Sequence, residues 1–421
     1  MMKQLLHTPE GVRDIYNAEY AKKLEVERRI RKAMELFGYR GIEPPTFEFF
    51  DIFRKERGSV SPREMFKFFD RDGETMVLRP DFTPSIARCA SKYYMEESLP
   101  VRLSYMGNAF INESSLQGRL KEFTQAGVEL IGDASADADA EVVALLIHCL
   151  LSAGLEDFQI EVGHAGFLRG LLEEAGMDEE AEEHFLELME NKNYFGIESL
   201  VQSVPMKDSL RHLFENLPEL FNSSEQLAAA KSMTENPGAI EAIERMEELY
   251  RILEHYGVQR YVSFDLGMVV KYRYYTGIIY QGYTYGTGET IVSGGRYDTL
   301  LEQFGKDAPS VGFAIQVDGV MRAIERQHIA VTTDSVETMI LYEKEQRELG
   351  ISLAGHFRST GMALLLMCRE EGHTLEEYIE YGRREEIGGI LYIEQQGEEV
   401  QVINIADGSR QTAKLSDLMI G

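Results

Sequence analysis

Between about Gly166 and His255 the sequence is almost wholly helical in pattern, dense in Glu and Leu and punctuated by prolines at 205, 218 and 237. Strand-like segments stand on both sides of it. This reads as a helical insertion between two sheet-forming blocks, in a chain of the α/β class (α+β type). At 421 residues the chain is also too long for one ordinary core.

The block before the insertion opens with an amphipathic helix. Apolar Leu24, Ile30, Met34 and Phe37 recur among charges from Glu19 to Phe37, and Gly38 follows as a stop. Tyr39 to Glu43 reads as a short strand ending at Pro44-Pro45, where a central ladder cannot continue. Met65 to Thr83 reads as a hairpin with its turn at Asp70 to Gly73 and a second strand at Met76 to Leu78. A helix from about Thr83 to Tyr94, a strand at Val101 to Gly107, a helix from Asp137 to Ala153 and a buried strand at Phe158 to Val162 complete the block.

After the insertion, Tyr261 to Asp265, Gly277 to Thr284 and Glu289 to Ser293 read as strands, antiparallel by their short connections, and a helix follows near Val317 to Arg326. A linker, Gln327 to Ser335, precedes strands at Thr338 to Tyr342, Ala363 to Met367, Gly389 to Ile393 and Val400 to Ile405 around helices. The expected organisation is a first domain at 1–326 with the insertion at about 166–255, a linker at 327–335, and a small α/β domain at 336–421.

Forty-three basic residues stand against seventy-one acidic ones, a net charge of -28, and such a field repels polyanions. General affinity for RNA or DNA is disfavoured. Cys89, Cys149 and Cys368 lie far apart, with no CxxC pair and no histidine spacing for a zinc site, so they read as reduced core residues of a cytoplasmic protein. MMKQLLHTPEGVRD has no apolar run long enough for a signal peptide, and the most apolar helix, near Val142 to Leu151, is too short for a bilayer and contains His148. Neither secretion nor a membrane is expected. The acidic clusters at Glu173-Glu174 and Asp178 to Glu183 read as solvated helix faces rather than metal sites.

Among chemistry-bearing groups, Gly294-Gly295 is not a phosphate loop, since no Gly-Lys-Ser/Thr ending follows a strand. His164, at a strand end, reads as a structural hydrogen-bonding group. The polar groups that cluster are Asp81 after Arg79-Pro80, Gln125 and Glu129 at alternating positions, and Tyr274-Tyr275. Gln125, Gly127 and Glu129 share one strand face. A carboxylate, an amide and phenols in an apolar pocket suit a small zwitterion with a basic side chain, Asp81 meeting an ammonium and Glu129 a cationic or N–H-bearing ring. The same groups could instead satisfy one another across a sheet.

TPEGVRD (Thr8 to Asp14), MFKFFDRDG, LRPDFT, the loop from Gly107 to Glu129, YYTG (Tyr274 to Gly277), GGRYD (Gly294 to Asp298) and SVGFAI (Ser310 to Ile315) are similar, in order, to histidyl-tRNA synthetases. The resemblance spans nearly all of residues 8–326, and the C-terminal block weakly resembles that family's anticodon-binding domain. It implies a class II aminoacyl-tRNA synthetase-like fold, an antiparallel sheet flanked by helices, with a dimer interface near Pro45. It also implies that Thr83, Gln125, Glu129, Tyr274 and Tyr275 match positions that recognise histidine. Asp81 stands where the family has a glutamate, keeping the charge but losing a methylene.

Activating an amino acid needs cations to offset charge building on the phosphoryl oxygens of ATP. The family's arginine after the loop phenylalanine is Ile111 here, the arginine before YYTG is Val270, and the Glu-Arg pair after GFAI is Asp318-Gly319. Removing one such donor costs about 2.7 to 4 kcal/mol. A chain with this pocket but without the ATP-binding cations is similar to the regulatory subunits of ATP phosphoribosyltransferase. That resemblance implies no catalysis, no cofactor and no metal of its own. It implies a short-form catalytic subunit as partner, a homodimer within a hetero-oligomer, histidine as feedback ligand through differential affinity for assembly states, and no tRNA. The alternative is a divergent histidyl-tRNA synthetase using Lys271, Arg273 or Lys121.

Overall fold

The computed structural model describes residues 6–53, 60–113, 120–217, 224–269, 274–333, 336–394 and 399–418. The chain forms two compact units, Met1–Val331 and Thr332–Gly421. Among the described residues no helix is long and apolar enough to cross a membrane.

In the first unit α1 (Asn17–Leu36) buries Val26, Ile30, Ala33 and Met34, one stripe at helical spacing, while Leu24 stays exposed. It ends just before Gly38, whose φ of +83° only glycine adopts readily. The strands that follow are β1 (Arg40–Gly41), β2 (Phe47–Phe49), β3 (Lys67–Phe69), β4 (Thr75–Leu78), β5 (Val101–Phe110), β6 (Glu122–Ile131) and β7 (Phe158–His164), with α2 (Thr83–Tyr93) and α3 (Ala136–Ala153) between them. The insertion runs as α4 (Ala165–Ala175), α5 (Glu179–Glu190), α6 (Tyr194–Ser203), α7 (Asp208–Asn216), α8 (Ser224–Met233) and α9 (Pro237–Tyr256). The block closes with β8 (Val262–Phe264), β9 (Ile278–Thr284), β10 (Val292–Tyr297), β11 (Ser310–Gln316) and α10 (Val317–Arg326).

Among the described residues, eight strands form the main sheet in the order β1-β5-β6-β11-β10-β9-β7-β8. The six central strands are antiparallel to their neighbours. Both edges are parallel, β1 on β5 and β8 on β7. The segment Tyr261 to Asp265 therefore departs from the antiparallel expectation. Its link to β7 is the whole helical insertion rather than a hairpin, and a long crossover returns a strand in the same direction.

The strand expected at Glu289 to Ser293 lies three residues later, through Gly294 and Gly295. Glycine disfavours a strand, yet both are required here: a Cβ on Gly294 would come within 2.4 Å of the Gly312 carbonyl, and one on Gly295 within 2.5 Å of the Ile278 carbonyl. The hairpin at Met65 to Thr83 forms as β3 and β4, joined by β2 into a three-stranded sheet in the order β2-β4-β3.

α3 is buried almost all round, since the sheet covers one side and α1 and α9 the other. Its N-cap Ser135 accepts from the Ala138 N–H at 3.2 Å, and Gly154 closes it with a φ of +107°. The main core, with Val128, Leu145, Leu146 and Phe313 essentially inaccessible, sits under the sheet face opposite the site described below.

In the second unit β12 (Thr338–Tyr342), β13 (Leu364–Cys368) and β14 (Gly389–Ile393) are parallel, and β15 (Glu399–Asn404) and β16 (Arg410–Lys414) extend the sheet antiparallel. α11 (Arg347–Ser359) and α12 (Leu375–Arg384) cover the two faces, over separate clusters around Leu353 and Ile379. The strand at Arg410–Lys414 has no sequence signal because it is a largely exposed edge of polar residues without alternation.

Candidate functional site

β6 presents Gln125, Gly127 and Glu129 to the face away from the main core, as period-two alternation requires. The register sets Gly312 of β11 opposite Glu129 and Gln316 opposite Gln125. The start of α2 brings Asp81 and Thr83 over this face, and the segment before β9 brings Tyr274 and Tyr275. All six residues singled out in the sequence line one cleft.

Glu129 lies at its floor, 1% exposed. The Thr83 hydroxyl donates to its Oε1 at 2.8 Å and the Tyr297 hydroxyl to its Oε2. Burial pushes the carboxyl up to about 8, against the pull of the two hydroxyls. Gly312 is dictated by this acid: a Cβ there would stand 1.9 Å from Glu129 Oε2 and 2.4 Å from the Val128 carbonyl. Asp81 Oδ1 accepts from the backbone N–H groups of Phe82 at 2.7 Å and Thr83 at 3.4 Å, at the positive end of α2.

Gln125 is 8% exposed, and its Oε1 has no hydrogen-bond partner. Buried amide oxygens are nearly always satisfied, so this acceptor awaits a donor. Tyr274 meets Tyr275 at 4.7 Å between ring centroids and Tyr297 edge-on at 5.8 Å, forming an aromatic wall. The polar groups thus satisfy one another in part, through Thr83, Glu129 and Tyr297, and leave Gln125 open. Tyr297 was not among the residues the sequence singled out for this site. It reaches Glu129 across 168 positions of sequence, and its only local signal is the GGRYD run.

The described residues lining the cleft include no lysine, arginine or histidine. Ile111 stands in its wall. Asp318, 6% exposed, accepts from the Thr124 N–H at 2.6 Å, and a Cβ on Gly319 would meet Ile291 Cγ2 at 3.1 Å. Val270, Lys271 and Arg273 lie outside the described residues. Lys121, the remaining cation considered, donates to Asn112 Oδ1 at 3.4 Å and is not among the lining residues.

His164 caps α4, its Nδ1 accepting from the Gly166 N–H at 3.1 Å, and burial pushes its pKa down to about 4. It is structural. Glu174 differs from the expectation of a solvated acidic face. It accepts from the Thr234 hydroxyl at 2.5 Å and the Asn236 N–H at 3.1 Å, fixing the turn before α9, a partnership sixty residues apart that local composition does not reveal. Among the described residues no cluster of three or more His, Cys, Asp or Glu could hold a metal.

Residues 11–320 match the family model for histidyl-tRNA synthetase. Over 419 residues, all of both chains, the sequence is 39% identical to an ATP phosphoribosyltransferase regulatory subunit from Acetivibrio thermocellus. It is 36% identical over 419 residues to one from Ruminiclostridium cellulolyticum, covering 100% of this chain and 99% of that one. The fold is similar to the crystal structure of an ATP phosphoribosyltransferase regulatory subunit/histidyl-tRNA synthetase from Bacillus halodurans, with a TM-score of 0.83 and 31% identity over 93% of this chain and 99% of that one. A histidyl-tRNA synthetase from Nostoc matches with a TM-score of 0.81 over 98% of each chain, and at 16% identity it shows the shared fold alone.

Proposed function

The chain belongs to the ATP phosphoribosyltransferase regulatory subunits, a family built on the class II histidyl-tRNA synthetase fold, and on that premise we propose that it senses histidine in the cleft over Glu129 without catalysing a reaction itself. Its partner is a short-form catalytic subunit, which condenses ATP with phosphoribosyl pyrophosphate in the first step of histidine biosynthesis. Histidine inhibits by binding one assembly state better than another, since a ligand with equal affinity for both shifts nothing.

The observation that carries the reading is the unmatched Gln125 Oε1 beside the Glu129 and Asp81 carboxylates, in a cleft whose described walls hold no base. Asp81 meets the ammonium, Glu129 the imidazole, and Thr83, Tyr274 and Tyr275 shape the space between. The absence of adenylation is supported at two of the three family arginine positions. Ile111 is an apolar wall, and Gly319, at the arginine of the Glu-Arg pair, carries no side chain, a Cβ there meeting Ile291 Cγ2 at 3.1 Å.

Pairing into a homodimer is supported by Phe47, Phe49 and Phe68, which stand 52%, 53% and 37% exposed on one face of the three-stranded sheet. The net charge of -28 disfavours tRNA, and three free cysteines, two of them buried, suit the reducing cytoplasm.

Calorimetric titration of the full chain with histidine, and reconstitution with a short-form phosphoribosyltransferase, test the reading. Saturable histidine binding and activation of that enzyme are expected. The divergent-synthetase alternative predicts histidine-dependent exchange of pyrophosphate into ATP, and observing it with the purified chain would replace this reading.

A further inference from the structure

We infer that Thr276 and Asp298 are positioning residues for the cleft: their clasp seats the wall formed by Tyr274 and Tyr275 on β10 before a ligand arrives. Histidine affinity is then set in part by a contact that the ligand does not touch. This rests on the reading of the cleft as a histidine site and names what holds that site in shape.

Neither residue is among those lining the cleft. The Thr276 hydroxyl donates to Asp298 Oδ2 at 2.7 Å and accepts from the Asp298 N–H at 3.1 Å, so one oxygen is used in both directions. The Thr276 N–H donates to the Arg296 carbonyl at 2.9 Å, and the Gly277 carbonyl accepts from the Ala165 N–H at 2.9 Å. The backbone that follows the two tyrosines is thus fastened to β10 and to the start of α4.

The rings themselves rest on the same strand. A Cβ on Gly295 would stand 2.9 Å from Tyr275 Cδ1 and Cε1, so that ring fills the space where a side chain would be. Tyr274 meets Tyr297 edge-on, and Tyr297 donates to Glu129. β10 is anchored in turn through Arg296, 5% exposed, whose Nε donates to Asp139 at 2.8 Å and whose Nη1 donates to the Asp133 carbonyl at 2.9 Å. A Cβ on Gly277 would meet Arg296 Cδ at 2.8 Å, so the tyrosine segment lies directly on this arginine. β10 is therefore the fixed body, and the wall is fastened to it. A wall ordered in advance spares the ligand the cost of ordering it, and releasing the clasp returns that cost to the binding equilibrium.

The test titrates the full-length protein with histidine by calorimetry, as the parent, Thr276→Val, Thr276→Ser, Asp298→Ala and the Thr276→Val/Asp298→Ala double variant, with a thermal midpoint for each. Valine keeps the shape of threonine and loses its hydroxyl. A hydrogen bond to a carboxylate is worth roughly tenfold or more in an equilibrium constant, so Thr276→Val and Asp298→Ala are each expected to bind histidine about tenfold weaker. Thr276→Ser keeps the hydroxyl and should stay within about threefold of the parent, and the double variant within about threefold of Thr276→Val, because both changes remove one contact. Lower midpoints with unchanged affinity mean a clasp that serves stability alone, and they overturn the inference. So does a serine variant as weak as the valine variant, or losses that multiply in the double variant. Asp298 has a side chain 39% exposed and can be truncated without opening the core, so its variant decides the matter should Thr276→Val fail to fold. A parent that binds histidine beside variants that bind it equally well removes this inference alone, whereas a parent that binds none removes the histidine reading as well.

Discussion

Asp318 Oδ2 accepts the backbone N–H of Thr124 at 2.6 Å, so an acid at the first turn of α10 ties that helix to β6. The resemblance to histidyl-tRNA synthetases sets Asp318-Gly319 at that family's Glu-Arg pair. Here the position has become part of the scaffold.

Replacing Asp318 by Ala leaves the buried Thr124 N–H without a partner, which costs about 1–3 kcal/mol. Urea denaturation is expected to show that loss, with histidine affinity changed less than threefold. An unaltered midpoint would mean that the contact is dispensable.

Glu129→Gln separates binding from stability. A carboxyl raised from its usual value to about 8 holds its proton in the folded state where the unfolded chain has released it. Its contribution is thus present at low pH and lost as pH rises toward and through 8. The variant is expected to flatten that slope, and at pH 9 to be more stable than the parent by on the order of a few kcal/mol. At pH 9, where Glu129 is ionised, histidine affinity should fall at least tenfold, because the charge that meets the imidazole is gone.

His164 titrates in the other direction. With its pKa near 4, the folded state refuses a proton that the unfolded chain binds below about 6.5. Stability is therefore whole above that value and declines as pH falls toward 4. His164→Asn keeps an N-cap acceptor for Gly166 and removes the titration, so its denaturation midpoint between pH 6.5 and 4 should fall less than the parent's.

Gly312→Ala places a methyl within 1.9 Å of Glu129 Oε2 and 2.4 Å of the Val128 carbonyl. One of these contacts is backbone and cannot swing away. Thermal unfolding is expected to show a loss above about 2 kcal/mol, with histidine binding abolished at concentrations that saturate the parent.

Phe49→Asp with Phe68→Asp puts charges on the exposed face of the three-stranded sheet. Sedimentation equilibrium should then report a monomer where the parent sediments as a dimer. An unchanged mass would move the interface elsewhere.

Much of the fold is legible because it follows local rules. α1, α3 and α10 follow from helical spacing and their stops, and β6 from alternation at 125, 127 and 129. Failures fall where partners are distant. β8 reads locally as an antiparallel strand, but the insertion between it and β7 makes it a parallel edge, and β10 lies three residues later than expected because its glycines are needed only when Tyr280, Tyr275 and the neighbouring backbone are in place. The exposed strand at Arg410–Lys414 carries no periodic signal at all.

By itself the sequence determined the chemical type at each position: carboxylates and an amide at Asp81, Gln125 and Glu129, and no arginine at Ile111, Val270 or Gly319. Side-chain type is a local property, and no fold can turn isoleucine into a cation. The tertiary structure alone decided which of these groups remain available. Glu129 is enclosed by Thr83 and Tyr297, from 46 and 168 positions away, while Gln125 Oε1 is enclosed without a partner. Burial and hydrogen-bond satisfaction are set by neighbours that only folding brings together.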